Sequence, residues 1–61
     1  MKNKLKAGDK KVFIAKNLKG VIGICLIAEY STQMAVFEII NSPKSSDIGN
    51  CVIVNYKEIK W

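Results

Sequence analysis

The sequence predicts an all-β domain: a small, strongly bent barrel of five short strands with one helical turn before the last strand. β-branched and aromatic residues are concentrated in short runs, which is the composition of strands. Turn residues separate these runs at short intervals. A chain of 61 residues forms one domain that buries only about 60% of its unfolded surface, so short strands curled around a small core are favoured.

The first half of the chain predicts two strands. Residues 11–16 form the first, and residues 17–20 form a turn because Asn17 and Gly20 tolerate positive φ. The long second strand runs from about residue 20 to residue 30 and includes residues 21–28, which carry no polar side chain. A helix within residues 21–40 is the alternative. The many Val and Ile residues and Gly23 favour a strand.

The second half of the chain predicts three strands and a helical turn. A short turn at residues 30–33 leads into a third strand at residues 34–40. Residues 41–50 form the long loop, since most of them are Asn, Ser, Pro or Gly. A fourth strand at residues 51–54, a single helical turn at residues 55–58 and a short closing strand at residues 59–61 complete the barrel.

The order of strand, helical turn and short strand is typical of SH3-like barrels. The segments Gly-Asp-Lys-Lys-Val at residues 8–12 and Lys-Gly-Val-Ile-Gly at residues 19–23 resemble the KOW and Tudor-type members. This resemblance implies one barrel domain at residues 9–61, preceded by a basic lead-in at residues 1–8. The loop at residues 41–50 is longer than a KOW motif needs.

Alternation along the strands predicts which side chains fill the core. The even-numbered residues of the second strand are bulkier than the odd ones, so the predicted core is Ile22, Ile24, Leu26, Ala28 and Tyr30, joined by Val12, Ile14, Val52, Val54 and Ile59. In the third strand one face carries Ala35, Phe37 and Ile39. The apolar residues left on the opposite face of the sheet are Phe13, Val21, Cys25, Ile27, Met34 and Val36.

An exposed apolar face of this size marks an interface in a small protein. Burial of each large apolar side chain is worth about 1.5–3 kcal/mol. The sequence therefore predicts a homodimer or higher homo-oligomer, or a protein-interaction module such as an inhibitor of the phage or mobile-element type. The alternative is that the second strand bends enough to bury both faces, at different ends of the barrel.

The charge of the chain suggests an anionic partner. Ten lysines and five acids give a net charge of +5, and seven of these lysines lie in the first nineteen residues. The lysines either keep an apolar domain soluble or attract nucleic acid. Arginine, the usual bidentate reader of guanine, is absent, so any nucleic-acid binding has low sequence specificity.

The nucleic-acid hypothesis names two kinds of side chain. The lysines expected to meet phosphates are Lys10, Lys11, Lys16 and Lys19. The aromatic residues expected to stack on bases are Tyr30, Tyr56 and Trp61. The alternative is that the lysines are only solvated and the aromatic rings seal the end of the barrel.

The sequence offers no catalytic constellation. Histidine is absent and the five acids are scattered, so we expect no enzymatic activity. Type II dihydrofolate reductases are also SH3-like barrels, and the chain resembles them in the Gly-Asp start and the strand that begins at a glycine. Their active strand carries Val-Gln-Ile-Tyr where this chain has Cys-Val-Ile-Val at residues 51–54, so the resemblance transfers no catalytic residue.

The cysteines predict neither a metal site nor a cofactor. Cys25 and Cys51 are far apart in sequence, with no histidine and no Cys-x-x-Cys motif, so buried free thiols are favoured. A disulfide would need neighbouring strands and an oxidising compartment. No apolar region follows the basic start at once, as it would in a signal peptide, so a cytoplasmic protein is expected.

Overall fold

The computed structural model describes residues 5–61, so residues 1–4 of the predicted lead-in, with Lys2 and Lys4, lie outside the described residues. The strands are β1 (Lys10–Phe13), β2 (Ile22–Glu29), β3 (Met34–Asn41), β4 (Cys51–Asn55) and β5 (Ile59–Lys60). Single 3-10 turns are formed by Lys16–Leu18, Ser45–Asp47 and Tyr56–Glu58. The predicted all-β class is therefore confirmed, and so is the helical turn before the last strand.

The five strands form one antiparallel sheet in the order β4-β3-β2-β1-β5. The sheet curls into a half-barrel that is compatible with a small SH3-like barrel. The helical alternative within residues 21–40 is wrong, because β2 and β3 occupy most of that segment. Within residues 5–61, helical structure amounts to short turns, none with the length and apolar character that a membrane-crossing helix requires.

The side-chain facing predicted for β1 and for the first part of β2 is wrong. Phe13 and Val21 are buried, whereas Ile14 is 53% exposed. The cause is Gly23, whose missing side chain leaves space on the inner face that the Phe13 ring occupies. The rings of Phe13 and Phe37 meet edge to face there, with centroids 5.0 Å apart. The odd-numbered residues of β2 therefore face the core at this end, despite their smaller volume.

A β-bulge then reverses the facing of β2. Cys25 is opposite Phe37 and Ile27 is opposite Val36, so Leu26 is an extra residue in the strand. After the bulge the even-numbered Ala28 packs against the core, while Ile27 is 62% exposed. Leu26, Tyr30 and Val12, all predicted for the core, are exposed, and Ile22 and Ile24 are half-buried. The bend in β2 changes which face is buried, but it leaves apolar residues outside.

The core is drawn from every strand and from the segment before β1. Its buried apolar members are Leu5, Phe13, Val21, Cys25, Ala35, Phe37, Ile39, Val54, Tyr56 and Ile59. The predicted facing of β3 and the predicted burial of Val54 and Ile59 are thus confirmed. Leu5 is 1% exposed, and its carbonyl accepts a hydrogen bond from the Tyr30 hydroxyl. The described end of the lead-in is therefore packed on the barrel.

Candidate nucleic-acid interface

The pairing of β1 with β5 brings Lys11 and Trp61 together. Val12 is opposite Lys60 and Phe13 is opposite Ile59, so the next position in this register places Lys11 opposite Trp61. Lys11 Nζ lies 4.8 Å from the centroid of the Trp61 ring. Such a cation–π contact is worth about 0.5–1 kcal/mol at an exposed site. Two residues far apart in sequence thus form one charged aromatic unit.

The Trp61 ring is held in place by the turn that precedes β5. Its Nε1 donates a hydrogen bond of 3.0 Å to the Tyr56 carbonyl oxygen. The Tyr56 and Trp61 ring centroids are 5.6 Å apart, and the Tyr56 ring in turn lies 6.2 Å from that of Tyr30. Trp61 remains 45% exposed. It is therefore an oriented ring with surface available to a ligand.

A capping box fixes the turn that carries Lys57. The Asn55 side chain accepts a hydrogen bond from the Lys57 N–H at 2.9 Å, and the Glu58 carboxylate accepts one from the Asn55 N–H at 3.1 Å. This turn points Tyr56 into the core and leaves Lys57 exposed. The position of Lys57 is thus set by local hydrogen bonds rather than by a flexible loop.

A cavity of about 350 Å³ lies beside Trp61 and Lys57 at the end of the half-barrel. Its walls are formed by Ile14, Gln33, Tyr56, Lys57, Ile59 and Trp61. Gln33, in the turn between β2 and β3, has a φ of 58° and accepts a hydrogen bond of 2.9 Å from the Tyr56 N–H. Binding sites for small ligands start at about 300 Å³. The cavity is large enough for one planar ring against its apolar walls, and Lys57 is among its lining residues.

The structure brings together some of the predicted nucleic-acid-binding residues and separates others. Lys11 contacts the ring of Trp61, Tyr56 and Trp61 both line the cavity, and the exposed Tyr30 adjoins Tyr56. Tyr56 is only 5% exposed, so it seals the barrel, as the alternative interpretation has it, and offers no ring face to a base.

The other predicted lysines lie around β1. Lys10 is exposed and, by strand alternation, its side chain is on the outer face, opposite that of Lys11. Lys16 and Lys19 are exposed at the start of the first 3-10 turn and directly after it. They add positive charge near the end of β1 but do not line the cavity.

Sequence reasoning missed three residues of the cavity. Ile14 was assigned to the core, and Gln33 and Lys57 were not singled out. Only the short capping signal Asn55-x-x-Glu58, which predicts an ordered turn, could have drawn attention to Lys57.

The Tyr56 phenol, whose usual pKa is about 10, is neutral at physiological pH, and burial shifts this pKa further upward. Its hydroxyl oxygen is buried and has no hydrogen-bond partner among residues 5–61. Removal from water raises the pKa of Tyr56 above its usual value, and the neighbouring Tyr30, Cys25 and Glu29 raise it further. The Tyr56 side chain therefore adds no negative charge that would repel a phosphate.

The structure also revises the predicted apolar interface. Phe13, Val21 and Cys25 are core residues, so they cannot lie on an outer surface. Ile27 and Val36 do lie outside, where they form a cross-strand row with Ile53, which is 68% exposed. We call Ile27, Val36 and Ile53 the outer row.

The sixth predicted interface residue, Met34, is half-buried at the start of β3. Its sulfur atom accepts a hydrogen bond of 3.5 Å from the Asn55 side chain. Met34 therefore takes part in the contact between β3 and β4.

Comparisons of the chain with protein-family models, with curated proteins and with solved structures find no match. The function must therefore be inferred from the geometry of the candidate interface and from the charges around it.

Proposed function

We propose that this protein binds single-stranded nucleic acid with low sequence specificity at the mouth of the half-barrel. The observation that carries the proposal is the half-exposed Trp61, which forms a wall of the cavity beside Lys57 while Lys11 lies against its ring. The proposed role is binding rather than catalysis, and the free thiols of Cys25 and Cys51 favour a reducing compartment such as the cytoplasm.

The cavity suits one nucleotide because it combines an aromatic ring with adjacent positive charge. A base enters against Trp61 and the apolar walls, and its phosphate meets the Lys57 ammonium at the rim. Stacking on an aromatic side chain contributes about 1–3 kcal/mol per base and accepts any base. Lysine acts as a point charge without the forked geometry of arginine, so neither contact selects a sequence.

A single strand fits better than a duplex. A base reaches a cavity of about 350 Å³ only when it is unstacked from its neighbours, which costs little in a single strand. The net charge of +5 attracts the phosphate backbone at longer range, with Lys16 and Lys19 adding to the field near β1.

The experiment is an anisotropy titration of a fluorescently labelled oligothymidylate at low salt. We expect Trp61→Ala to weaken binding by about fivefold to about 150-fold, the equivalent of one stacked base. Lys57→Ala is expected to weaken binding severalfold. The matched control is Lys44→Ala, which removes another exposed lysine, from the loop before β4, and is expected to change affinity little. If Lys11 and Lys57 each contact one phosphate, the slope of log K against log salt is about −1.4.

Three results would contradict the proposal or its preference for a single strand. One is the absence of binding to any single strand at low salt. Another is an equal loss of affinity in the Lys57→Ala and Lys44→Ala variants, which would show that net charge alone attracts the strand. Tighter binding to a duplex of the same length would overturn the preference for a single strand.

The outer row supports a second candidate function, protein–protein interaction. Ile27 and Ile53 are each more than 60% exposed and are linked across the sheet by Val36. A contiguous apolar row on a protein this small favours association, with a second copy or with another protein.

A further inference from the structure

The strand β4 is an open edge of the sheet. It is the last strand in the order β4-β3-β2-β1-β5 and, among residues 5–61, pairs only with β3. We propose that β4 pairs antiparallel with β4 of a second copy of this chain, which joins two half-barrel sheets into one continuous sheet. This inference is independent of nucleic-acid binding.

The register of β3 and β4 shows which backbone groups are free at this edge. Hydrogen bonds join the Tyr56 N–H to the Gln33 carbonyl and the Ile39 N–H to the Asn50 carbonyl. Because antiparallel pairs alternate between bonded and non-bonded positions, Val52 and Val54 also bond to β3. The N–H and C=O groups of Cys51 and Ile53 then point away from β3.

The free groups define one best pairing. At the end of β4 the Asn55 N–H is already taken by the Glu58 carboxylate. An antiparallel pair centred on Val52 sets Cys51 of each copy opposite Ile53 of the other, so all four free N–H and C=O groups of each copy are used. A pair centred on Ile53 would instead set Cys51 opposite Asn55, whose N–H is occupied.

Most sheet edges are protected against such pairing, and β4 is not. Short length, charged side chains and proline are the usual protections. The opposite edge, β5, has two of them, since it is only two residues long and contains Lys60. The five residues of β4 include no charged residue and no proline, and Ile53 is 68% exposed.

Charge explains why a second copy fits this edge. The turn before β4 carries Lys44 and Asp47, and the turn after it carries Lys57 and Glu58. Antiparallel pairing places the first turn of one copy near the second turn of the other. Each junction therefore brings two positive and two negative residues together, with no net repulsion, although the whole chain has a charge of +5.

The pairing also extends the outer row. Ile53 ends the row at the sheet edge, and in the proposed register its neighbour across the junction is the second copy's Cys51. Two paired strands of five residues bury less than the roughly 1,200 Å² of standard interfaces. We therefore expect a weak dimer, with a dissociation constant between about 10 µM and about 1 mM.

The first test compares two substitutions at position 53 by sedimentation equilibrium. Ile53→Pro removes an N–H that points away from β3, so it blocks the second copy without breaking a bond inside the chain. Ile53→Thr keeps the N–H and the β-branched shape but removes the apolar end. We expect the wild type and Ile53→Thr to dimerise and Ile53→Pro to remain a monomer at least tenfold above the wild-type dissociation constant. Tryptophan fluorescence confirms that each variant is folded.

The second test is a disulfide cross-link in the Cys51→Ser background. It does not depend on the Ile53→Pro variant. Val52→Cys places identical residues directly opposite across the junction, within the 4.4–6.8 Å Cα separation that a disulfide requires. We expect Val52→Cys to form a covalent dimer at least tenfold faster than the controls. The controls are Ile53→Cys, on the same edge but offset from its copy, and Ile27→Cys, which is exposed but lies on an inner strand.

Three outcomes would overturn the inference. A wild type that stays monomeric up to about 1 mM excludes the dimer. Equal loss of dimer in Ile53→Pro and Ile53→Thr would show that the outer row, not the strand edge, makes the contact. Cross-linking at position 52 that is no faster than at positions 53 and 27 would exclude the register.

Discussion

Gly23→Ala tests the packing that sets the facing of β1 and β2. An added Cβ at position 23 would lie 2.8 Å from Phe13 Cζ, 3.2 Å from Phe13 Cε2 and 3.0 Å from Phe37 Cβ. Carbon atoms in contact are normally about 3.5–4.0 Å apart. Phe13 is 1% exposed and Phe37 is fully buried, so neither ring can move aside into solvent.

The expected loss of stability follows from two opposing effects. Overpacking a core costs about 1–3 kcal/mol. Replacing glycine also restricts the unfolded chain, which returns about 0.4–1 kcal/mol. We therefore expect Gly23→Ala to lower the free energy of unfolding by about 1–2 kcal/mol, which lowers the Tm of a domain of this size by about 5–15 °C.

The assay is urea unfolding followed by Trp61 fluorescence, in which the midpoint falls and the m-value stays constant. The matched background is Phe13→Leu, which removes the Cζ that the new methyl group would meet. In that background we expect the added methyl group to cost less than it does in the wild type, with a coupling of about 0.5–3 kcal/mol. Wild-type stability in Gly23→Ala, or strict additivity in the double variant, would refute the packing argument.

Two further substitutions and one chemical treatment test the capping box, the burial of Cys25 and the burial of Tyr56. Asn55→Ala removes the capping-box side chain and should lower the free energy of unfolding by about 1 kcal/mol in thermal melts, with an unchanged Tm as the contradicting result. A thiol reagent should modify the exposed Cys51 in the native protein but reach the buried Cys25 only in denaturant. Burial, and after it the charge of Asp9, also raises the pKa of Cys25, which makes its thiol less reactive. Equal rates of modification at the two cysteines in the native protein would contradict this prediction. Because the folded state raises the pKa of Tyr56, this residue contributes stability below its unfolded pKa of about 10 that is lost as the pH rises. Tyr56→Phe should therefore show a smaller fall in the urea midpoint between pH 8 and pH 11 than the wild type, and an identical fall would contradict the assignment.

The positions of the strands could be predicted because the signals are local. Runs of Val, Ile and Phe alternate with Gly, Asn and Ser, and each run became a strand within about two residues, except that the first strand ends at Phe13 instead of the predicted residue 16. Which side chains of β1 and β2 point into the core could not be predicted in the same way. It depends on how Phe13 fills the space above Gly23 and on the bulge at Leu26, and both are contacts between strands.

The candidate site, too, could be predicted from the sequence only in part. Lysine excess and the three aromatic residues pointed to Lys11 and Trp61, but only the β1–β5 register shows that they touch. Alternation along the first strand assigned Ile14 to the core together with Val12, yet Ile14 lies where β1 ends and forms a wall of the cavity. Register and strand ends arise from tertiary pairing, which alternation within one strand does not reveal.

The most direct test of the proposed function is the emission of Trp61 during titration with a single strand. Trp61 is the one tryptophan of the chain, so its fluorescence reports the cavity without a label. An oligothymidylate should quench this emission to saturation, because a base stacks on the ring. An abasic strand of equal length and charge should bind at least fivefold more weakly and leave the emission unchanged. Equal affinity for the two strands, or saturation without quenching, would contradict the proposal that Trp61 receives a base.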